Sequence, residues 1–513
     1  IVHSLDWQHE TPVPLLRNAL VENINAQLPA LVTSDLVDRY FDTTTIDGVT
    51  TYTPRDEKPR DFSFAIYDAE GALRATAPSA SGRAPVFPAE YSLSDAQANE
   101  DQVLARRDVA RVDGRVDVLV EVIAGEQSSG TFLALANETP ELKARCGARV
   151  ERLEMLDVVD QPSLPGRYKP GARFQRARLE LSWSVDNMGL SLPNVMATVA
   201  GNLFELQCVS GLRLTDLQLP IAFAQASPGP AFGIAGTRRL AGVAQGPLIG
   251  TIIKPSVGLN PEQTAAEVRK LLAGGIDFIK DDELQADGPH CPFDERVRAV
   301  MREVNAAAEH LGRKPMYAFN LTGDLDEMKR RHDLVLSLGG TCVMVSLNSV
   351  GLVGLRELRR HSQLPIHAHR NGWGYLSRHP ALGWDYAPWQ QLWRLAGADH
   401  LHVNGLGNKF SESDAEVAAA AQAVLKPLWA DAPMAAMPVF SSGQTGLVAA
   451  ATHAVAGGTD LIFAAGGGIF GHPGGVAQGV AALRQAWDAA VAGVDLAAHA
   501  QSHPELQAAL GFW

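Results

Sequence analysis

The chain has 513 residues, 46% hydrophobic and 20% charged, with 44 Lys and Arg against 57 Asp and Glu for a net charge of −13. At about 150 residues per domain this length predicts about two to four domains with well-filled cores, and the composition excludes wholesale disorder, coiled coil and collagen. The acidic balance excludes the basic field that non-specific nucleic-acid binding requires, while leaving room for a local anion pocket.

No apolar run reaches the roughly 18 residues of a membrane span, and the acidic, polar start IVHSLDWQHE is unlike a signal peptide. Cys146, Cys208, Cys291 and Cys342 lie far apart with no C-x-x-C pair, which argues against a zinc site or a disulfide framework. A soluble protein of the reducing cytoplasm, without membrane or nucleic-acid partner, is the expectation. A chain opening on Ile1 reads as processed or as beginning at a fragment boundary.

Residues 1–95 match no repeating pattern. The Ala, Pro and Ser content of Ala75–Pro88 predicts a linker that closes an N-terminal extension. Over about 108–228 the runs RVDVLVEVIA, RVERLEMLDVV and RARLELSWSV are interspersed with helical stretches such as Leu192–Leu203, predicting a smaller α+β domain of ferredoxin-like type. Residues 229–513 form the third predicted domain. From residue 248 a short apolar run, a turn and a helical stretch recur for eight rounds. The predicted strands are Leu248–Lys254, Phe278–Glu283, Met316–Leu321, Cys342–Asn348, Leu364–Arg370, His400–Asn404, Met437–Ser442 and Asp460–Ala465. Pro261–Ala273, Asp294–Leu311 and Glu412–Leu425 are among the predicted helices. Eight such units predict a closed (β/α)8 TIM barrel with its catalytic groups at the C-terminal strand ends. A doubly wound open sheet is the alternative, because a strand count does not prove closure.

Charged groups stand where that fold would put chemistry. The second strand ends Lys280-Asp281-Asp282-Glu283. Lys280 and Asp282 share a face and Glu283 can turn inward at the mouth, a donor set for a hard cation such as magnesium. A lysine ammonium ligates no cation, so Lys280 either is carbamylated or acts as a Schiff-base lysine. A solvated charge run is the structural alternative. His367 and His369 end the fifth strand, with Arg370 beside them as an anion clamp, and His400 and His402 end the sixth. Each histidine is read as a zinc ligand, an acid or base, or a hydrogen-bonded core residue. The outer pair, His369 and His402, lies nearer the mouth. Gly466-Gly467-Gly468 after the eighth strand suits backbone donation to phosphate or a tight turn, and Ser441 adds a hydroxyl.

These residues resemble the RuBisCO superfamily, and specifically the RuBisCO-like proteins of form IV type. The resemblance covers about residues 108–495 and rests on GTIIKPSVG (250–258), GGIDFIKDDE (274–283), HAHR (367–370), DHLHVNGLGNK (399–409), PVFSSG (438–443) and GGGIFGHP (466–473), in that order. It implies that Lys280 is the lysine carbamylated by CO2, completing a Mg2+ site with Asp282 and Glu283. Lys254 resembles the lysine that moves protons at the enediolate. His369 and Arg370 resemble the pair holding the reacting oxygens and a phosphate. His402 and Ser441 resemble further substrate contacts, Gly466 and Gly467 backbone phosphate donors, and Lys409 the lysine of the mobile sixth loop. In the smaller domain Glu126, Thr131 and Asn202 resemble residues lent to a neighbouring subunit's site, which implies a homodimer.

Ser256, Trp373 and Phe132 stand where carboxylases carry a lysine, a histidine and a tryptophan, which puts ribulose bisphosphate carboxylation in doubt. The retained Lys254, Lys409, Glu126 and Asn202 favour decarboxylation, or transcarboxylation with hydrolysis, of a phosphorylated keto sugar acid such as 3-oxo-isoapionate 4-phosphate. The alternatives are enolisation or isomerisation of a methylthio-pentulose phosphate, ribulose bisphosphate carboxylation, and a non-catalytic phosphosugar binder.

Overall fold

All eight predicted barrel strands form in the computed structural model, which describes residues 41–46, 49–54, 64–67, 73–77, 102–112, 116–130, 135–168 and 170–513. By contact the chain divides into two units, Ile1–Ala96 and Gln97–Trp513.

In the first unit, strands β1 (Phe41–Ile46), β2 (Val49–Pro54), β3 (Phe64–Tyr67) and β4 (Leu73–Ala77) form one sheet in the order β1-β2-β4-β3. The extension thus holds a sheet that no periodicity announced. Strand β4 takes the first three residues of the stretch predicted as linker, and 78–88 lie outside the described residues.

The second unit begins with β5 (Gln102–Val112), followed by a helix Val116–Glu126, β6 (Arg149–Val159), β7 (Phe174–Ser184), a helix Leu192–Val199 and β8 (Val209–Gln218). This strand-helix-strand-strand-helix-strand order, with neighbours β8-β5-β7-β6, is ferredoxin-like. Alternating valines give RVDVLVEVIA the look of a strand, yet Val116–Glu126 is helical, and Val120, Ile123 and Ala124 recur at helical spacing and are buried together. A short strand β14 (Leu382–Trp384), supplied by the barrel segment, pairs parallel with β8 and ties the smaller domain to the barrel.

The barrel strands are β9 (Leu248–Ile252), β10 (Phe278–Lys280), β11 (Met316–Asn320), β12 (Cys342–Ser346), β13 (Ile366–His369), β15 (His400–His402), β16 (Met437–Phe440) and β17 (Ile462–Ala464). They close in that order, β17 pairing parallel with β9, so the sheet is not open. Alternate residues fill the interior: Leu248, Phe278, Met316, Cys342, Met437 and Ile462 form one buried cluster, separate from the larger layer between strands and helices. Gly250 points into this interior because a Cβ there would stand 3.1 Å from the Phe278 ring and 3.2 Å from Ile462.

Two aspartates pin the N-terminal end of the barrel. Asp277 accepts from Ile249 N at 2.8 Å and pairs with Arg313 at 2.7 Å and Arg484 at 2.9 Å. Asp399 accepts from the backbone N–H groups of Phe232, Gly233 and Ile366 and from Arg359. At the other end, helices start cleanly: a capping box between Asn260 and Gln263 opens Pro261–Ala273, and one between Ser413 and Glu416 opens Asp414–Leu425. That second helix therefore begins after Glu412, leaving Glu412 on the loop.

Candidate active site

Strand β10 ends on Lys280 inside the barrel mouth, with its side chain wholly buried. Its Nζ donates to the Asp281 carbonyl at 2.7 Å and lies 3.7 Å from Glu283 Oε2. Burial pushes the ammonium down from its ordinary value, and the Glu283 and Asp282 carboxylates only partly restore it. The charge run is thus no solvated surface feature.

Asp282 faces the mouth and accepts from Lys254 Nζ at 2.8 Å and from Leu284 N at 3.2 Å. Burial pushes this carboxyl up, but hydrogen bonds from Lys254, Ser256 and Leu284 outweigh it and hold it below its ordinary range. Lys254 also donates to Ser256 Oγ at 2.7 Å, and its Cε lies 3.6 Å from where a Gly466 Cβ would stand. One lysine thus spans the mouths of β9, β10 and β17.

Asp281 points outward to a different task. Its carboxylate accepts from the Tyr317 hydroxyl at 2.6 Å and from Asn320 N at 2.9 Å, and pairs with the buried Arg296 at 3.2 Å. Asn320 in turn donates through Nδ2 to the carbonyls of Asp282 and Glu283, both at 3.3 Å. Sequence reading missed these props, since only their partners reveal them.

The histidines divide by depth. His400 lies deepest, hydrogen-bonded to Thr237 at 2.8 Å, and burial lowers it to about 3. His367 Nε2 meets His402 Nε2 at 2.7 Å, and His402 Nδ1 meets Ser441 Oγ at 3.0 Å. Burial holds both rings well below the ordinary histidine value, so both are neutral and one proton is shared between the facing nitrogens. His369 stands nearest the charged cluster, 3.4 Å from Glu283 Oε2, and burial followed by the nearby Lys280 lowers it to about 4.

Arg370 is engaged on the far side of the mouth. Its NH1 donates to Glu412 Oε1 at 2.9 Å and its NH2 to Oε2, while the guanidinium lies over the rings of Trp373 and Tyr386. Lys409 is exposed on the loop after β15, its Nζ 5.3 Å from the Phe410 ring centre. Asn404 and Ser442, where β15 and β16 leave the barrel, adopt positive φ of 72° and 74°, a strain that concentrates at working sites. Gly466 precedes a four-residue helix Gly467–Phe470, whose first N–H groups have no intrahelical acceptor.

Glu126 and Asn202 are both exposed on the smaller domain, and Gln127 packs under Gly201 to bring their segments together. Thr131 and Phe132 lie outside the described residues. Among the described residues, three imidazole or carboxylate ligand atoms converge only at His332, Asp333 and His361. There His332 Nε2 already accepts the Gln363 N–H and its Nδ1 meets Asp333, so that ring has no lone pair left for a metal. At the mouth Asp282 and Glu283 have Lys280 and His369 beside them, with Lys280 Nζ 3.7 Å and His369 Nε2 3.4 Å from Glu283 Oε2.

The model of the ribulose bisphosphate carboxylase large chain catalytic domain matches residues 233–513, and that of its N-terminal domain matches 91–223. The chain belongs to the RuBisCO large-chain family. Within it, a 3-oxo-isoapionate-4-phosphate transcarboxylase/hydrolase from Xanthobacter autotrophicus is 72% identical over 393 residues, 77% of this chain and 95% of that one. A 3-oxo-isoapionate-4-phosphate decarboxylase from Rhizobium etli is 43% identical over 77% of this chain and 95% of its own. The crystal structure of a rubisco-like protein from Burkholderia fungorum matches with a TM-score of 0.76 and 46% identity, covering 80% of this chain and all of that one. Dimeric RuBisCO from Hyperthermus butylicus matches at TM-score 0.71 with 29% identity, over 81% of this chain and 97% of that one. The RuBisCO barrel motifs fall at the strand ends from which Lys254, Lys280, His369, His402 and Ser441 converge. Among the described residues no helix is long and apolar enough to cross a membrane.

Proposed function

We propose that this chain is a magnesium-dependent enzyme that forms an enediolate from a phosphorylated keto sugar acid, by decarboxylation or by transcarboxylation with hydrolysis. 3-Oxo-isoapionate 4-phosphate is the proposed substrate, in keeping with the names of the 72% and 43% identical relatives. The observation that carries the chemistry is Lys280, a wholly buried amine between two carboxylates, with its ammonium form disfavoured by burial.

The neutral amine is the form that adds to CO2, releasing a proton as the carbamate anion forms; burial shifts Lys280 toward that form, and the carbamate would supply a third oxygen ligand. Lys280, Asp282 and Glu283 would then hold Mg2+, which supplies electrostatic stabilisation to the enolate oxygens. Lys254, which donates to Asp282 and Ser256, would return a proton to carbon. His369 is neutral and offers a hydrogen bond to a substrate hydroxyl without adding charge. His402 and Ser441, locked together, present a second such contact, and Gly466 and Gly467 turn backbone N–H groups toward a phosphate. Lys409, on the loop after β15, would serve the carboxyl group. Glu126, Thr131 and Asn202 complete the site of a second subunit, making the working unit a homodimer. In this reading 1–95 is an added extension, 108–228 the smaller domain and 229–513 the barrel domain of a cytoplasmic protein.

Turnover of 3-oxo-isoapionate 4-phosphate, lost with EDTA and in Lys280→Ala, is the expected result. No turnover by a folded dimer refutes the reading, and proton exchange on a methylthio-pentulose phosphate without CO2 release favours the isomerase instead. Covalent trapping by borohydride with indifference to EDTA would reveal a Schiff base on Lys280.

A further inference from the structure

We propose that Glu412 is a built-in anion that fills the Arg370 clamp and so restricts the barrel to substrates bearing one phosphate. This rests on the reading of the mouth as a phosphosugar site, and it names which phosphosugars enter.

The Glu412 carboxylate accepts four hydrogen bonds. Arg370 grips it with NH1 and NH2, Trp373 Nε1 donates to Oε1 at 3.0 Å, and Asn404 Nδ2 donates to Oε2 at 2.7 Å. A two-toothed grip by a guanidinium, with two further neutral donors, is the arrangement that also recognises phosphate. Burial pushes Glu412 up, but the Arg370 hydrogen bonds and charge, with those from Asn404 and Trp373, outweigh it and keep the group ionised. The loop is built to hold it there. Asn408 Nδ2 donates to the carbonyls of Gly405 and Glu412 at 2.9 and 3.1 Å, and Ser413 caps the next helix one residue later.

The site consequently has two unlike ends. On one side Gly466 and Gly467 begin a short helix beside Lys254, with nothing within 4 Å of a Cβ placed on Gly467. On the other, Arg370 is neutralised by a carboxylate of the same chain. A second phosphate arriving at Arg370 would have to expel Glu412 or stand beside its charge. A carboxylate placed there discriminates by repulsion as well as by occupancy, which is how a site rejects a close analogue. Trp373 belongs to the same device. It stands where the resemblance expects a histidine, and its indole N–H serves Glu412 while its ring packs 4.8 Å from Trp389.

The test measures binding of ribulose 5-phosphate and ribulose 1,5-bisphosphate to the full-length protein with Mg2+ and bicarbonate by calorimetry. The native protein is expected to bind the bisphosphate no more tightly than the monophosphate. In Glu412→Gln the preference is expected to swing toward the bisphosphate by about tenfold or more, and Glu412→Gln with Arg370→Gln should abolish the swing. The native comparison stands even if the variant fails to fold. Tenfold tighter native binding of the bisphosphate, or a folded Glu412→Gln with an unchanged ratio, overturns the role of Glu412 alone. If neither sugar phosphate binds the folded native protein and 3-oxo-isoapionate 4-phosphate is not turned over, the phosphosugar reading falls and this inference with it.

Discussion

Lys280 is a charged residue buried at a cost, and in the proposed chemistry that cost has a use. A buried ammonium loses hydration that two nearby carboxylates do not fully replace, so the amine is disposed to shed its proton. Exchange for an apolar side chain of similar length should relieve that cost. Lys280→Met is therefore expected to lower turnover by about a thousandfold or more, in line with the loss of an active-site electrostatic group, without lowering Tm. Activity assays beside thermal melts check this, and a Tm well below that of the parent would show that the lysine was stabilising. Neighbouring residues show how little of this is written in residue type. Asp281 and Asp282 are adjacent aspartates, yet the strand's alternation sends one to Arg296 and Tyr317 and the other to Lys254. The spacing announced the alternation, and it placed Lys280 and Asp282 on one face. It could not announce Asn320 or Arg296, because a prop is defined by the partner that the fold brings to it. For Glu412 one signal existed: S-x-x-E at 413–416 is a capping box that puts the residue before it on the loop.

At the scale of the element, the same residue type does opposite work at the two ends of a strand. Asp282 and Glu283 follow β10 at the mouth, whereas Asp277 precedes β10 and Asp399 precedes β15 at the base. The base aspartates accept from backbone N–H groups and from arginines, tying strands to the segments that enter the barrel. Removing the Asp399 carboxylate leaves Arg359 buried without its partner, and Asp399→Ala is expected to cost about 3–5 kcal/mol. Chemical denaturation measures the loss, with kcat of the remaining folded protein near that of the parent. A large fall in kcat per folded molecule would contradict the division of labour between the two ends. Helix Val116–Glu126 makes the converse point. Its valines alternate like those of a strand, yet it is a helix that buries Val120, Ile123 and Ala124 together.

Across the whole molecule, four histidines are stacked in one barrel, with His369 lowered to about 4, His400 to about 3, and His367 and His402 held well below the ordinary value. Each is neutral when folded and takes a proton near pH 6.5 when unfolded. Stability is thus full above about pH 6.5 and falls on acidification, by up to about 1.4 kcal/mol per pH unit for each histidine. Melts between about pH 7.5 and 5 should show this decline, and a flat profile would refute it. The contact division at Ala96 leads to a second expectation. A chain starting at Gln97 retains the smaller domain and the barrel as one contact unit, and should keep its fold and turnover. Loss of solubility or activity on that truncation would assign 1–96 a working role.

The sequence alone determined the repeating strand-and-helix plan, the end of the barrel that bears chemistry, and the cluster at 280–283, because hydrophobic periodicity and strand alternation are local properties of the chain. Only the tertiary structure decided that Glu412 reaches Arg370, that His402 bridges His367 and Ser441, and that Lys280 loses all contact with water. Those facts depend on which strands become neighbours when the sheet closes, and no short stretch of sequence contains that.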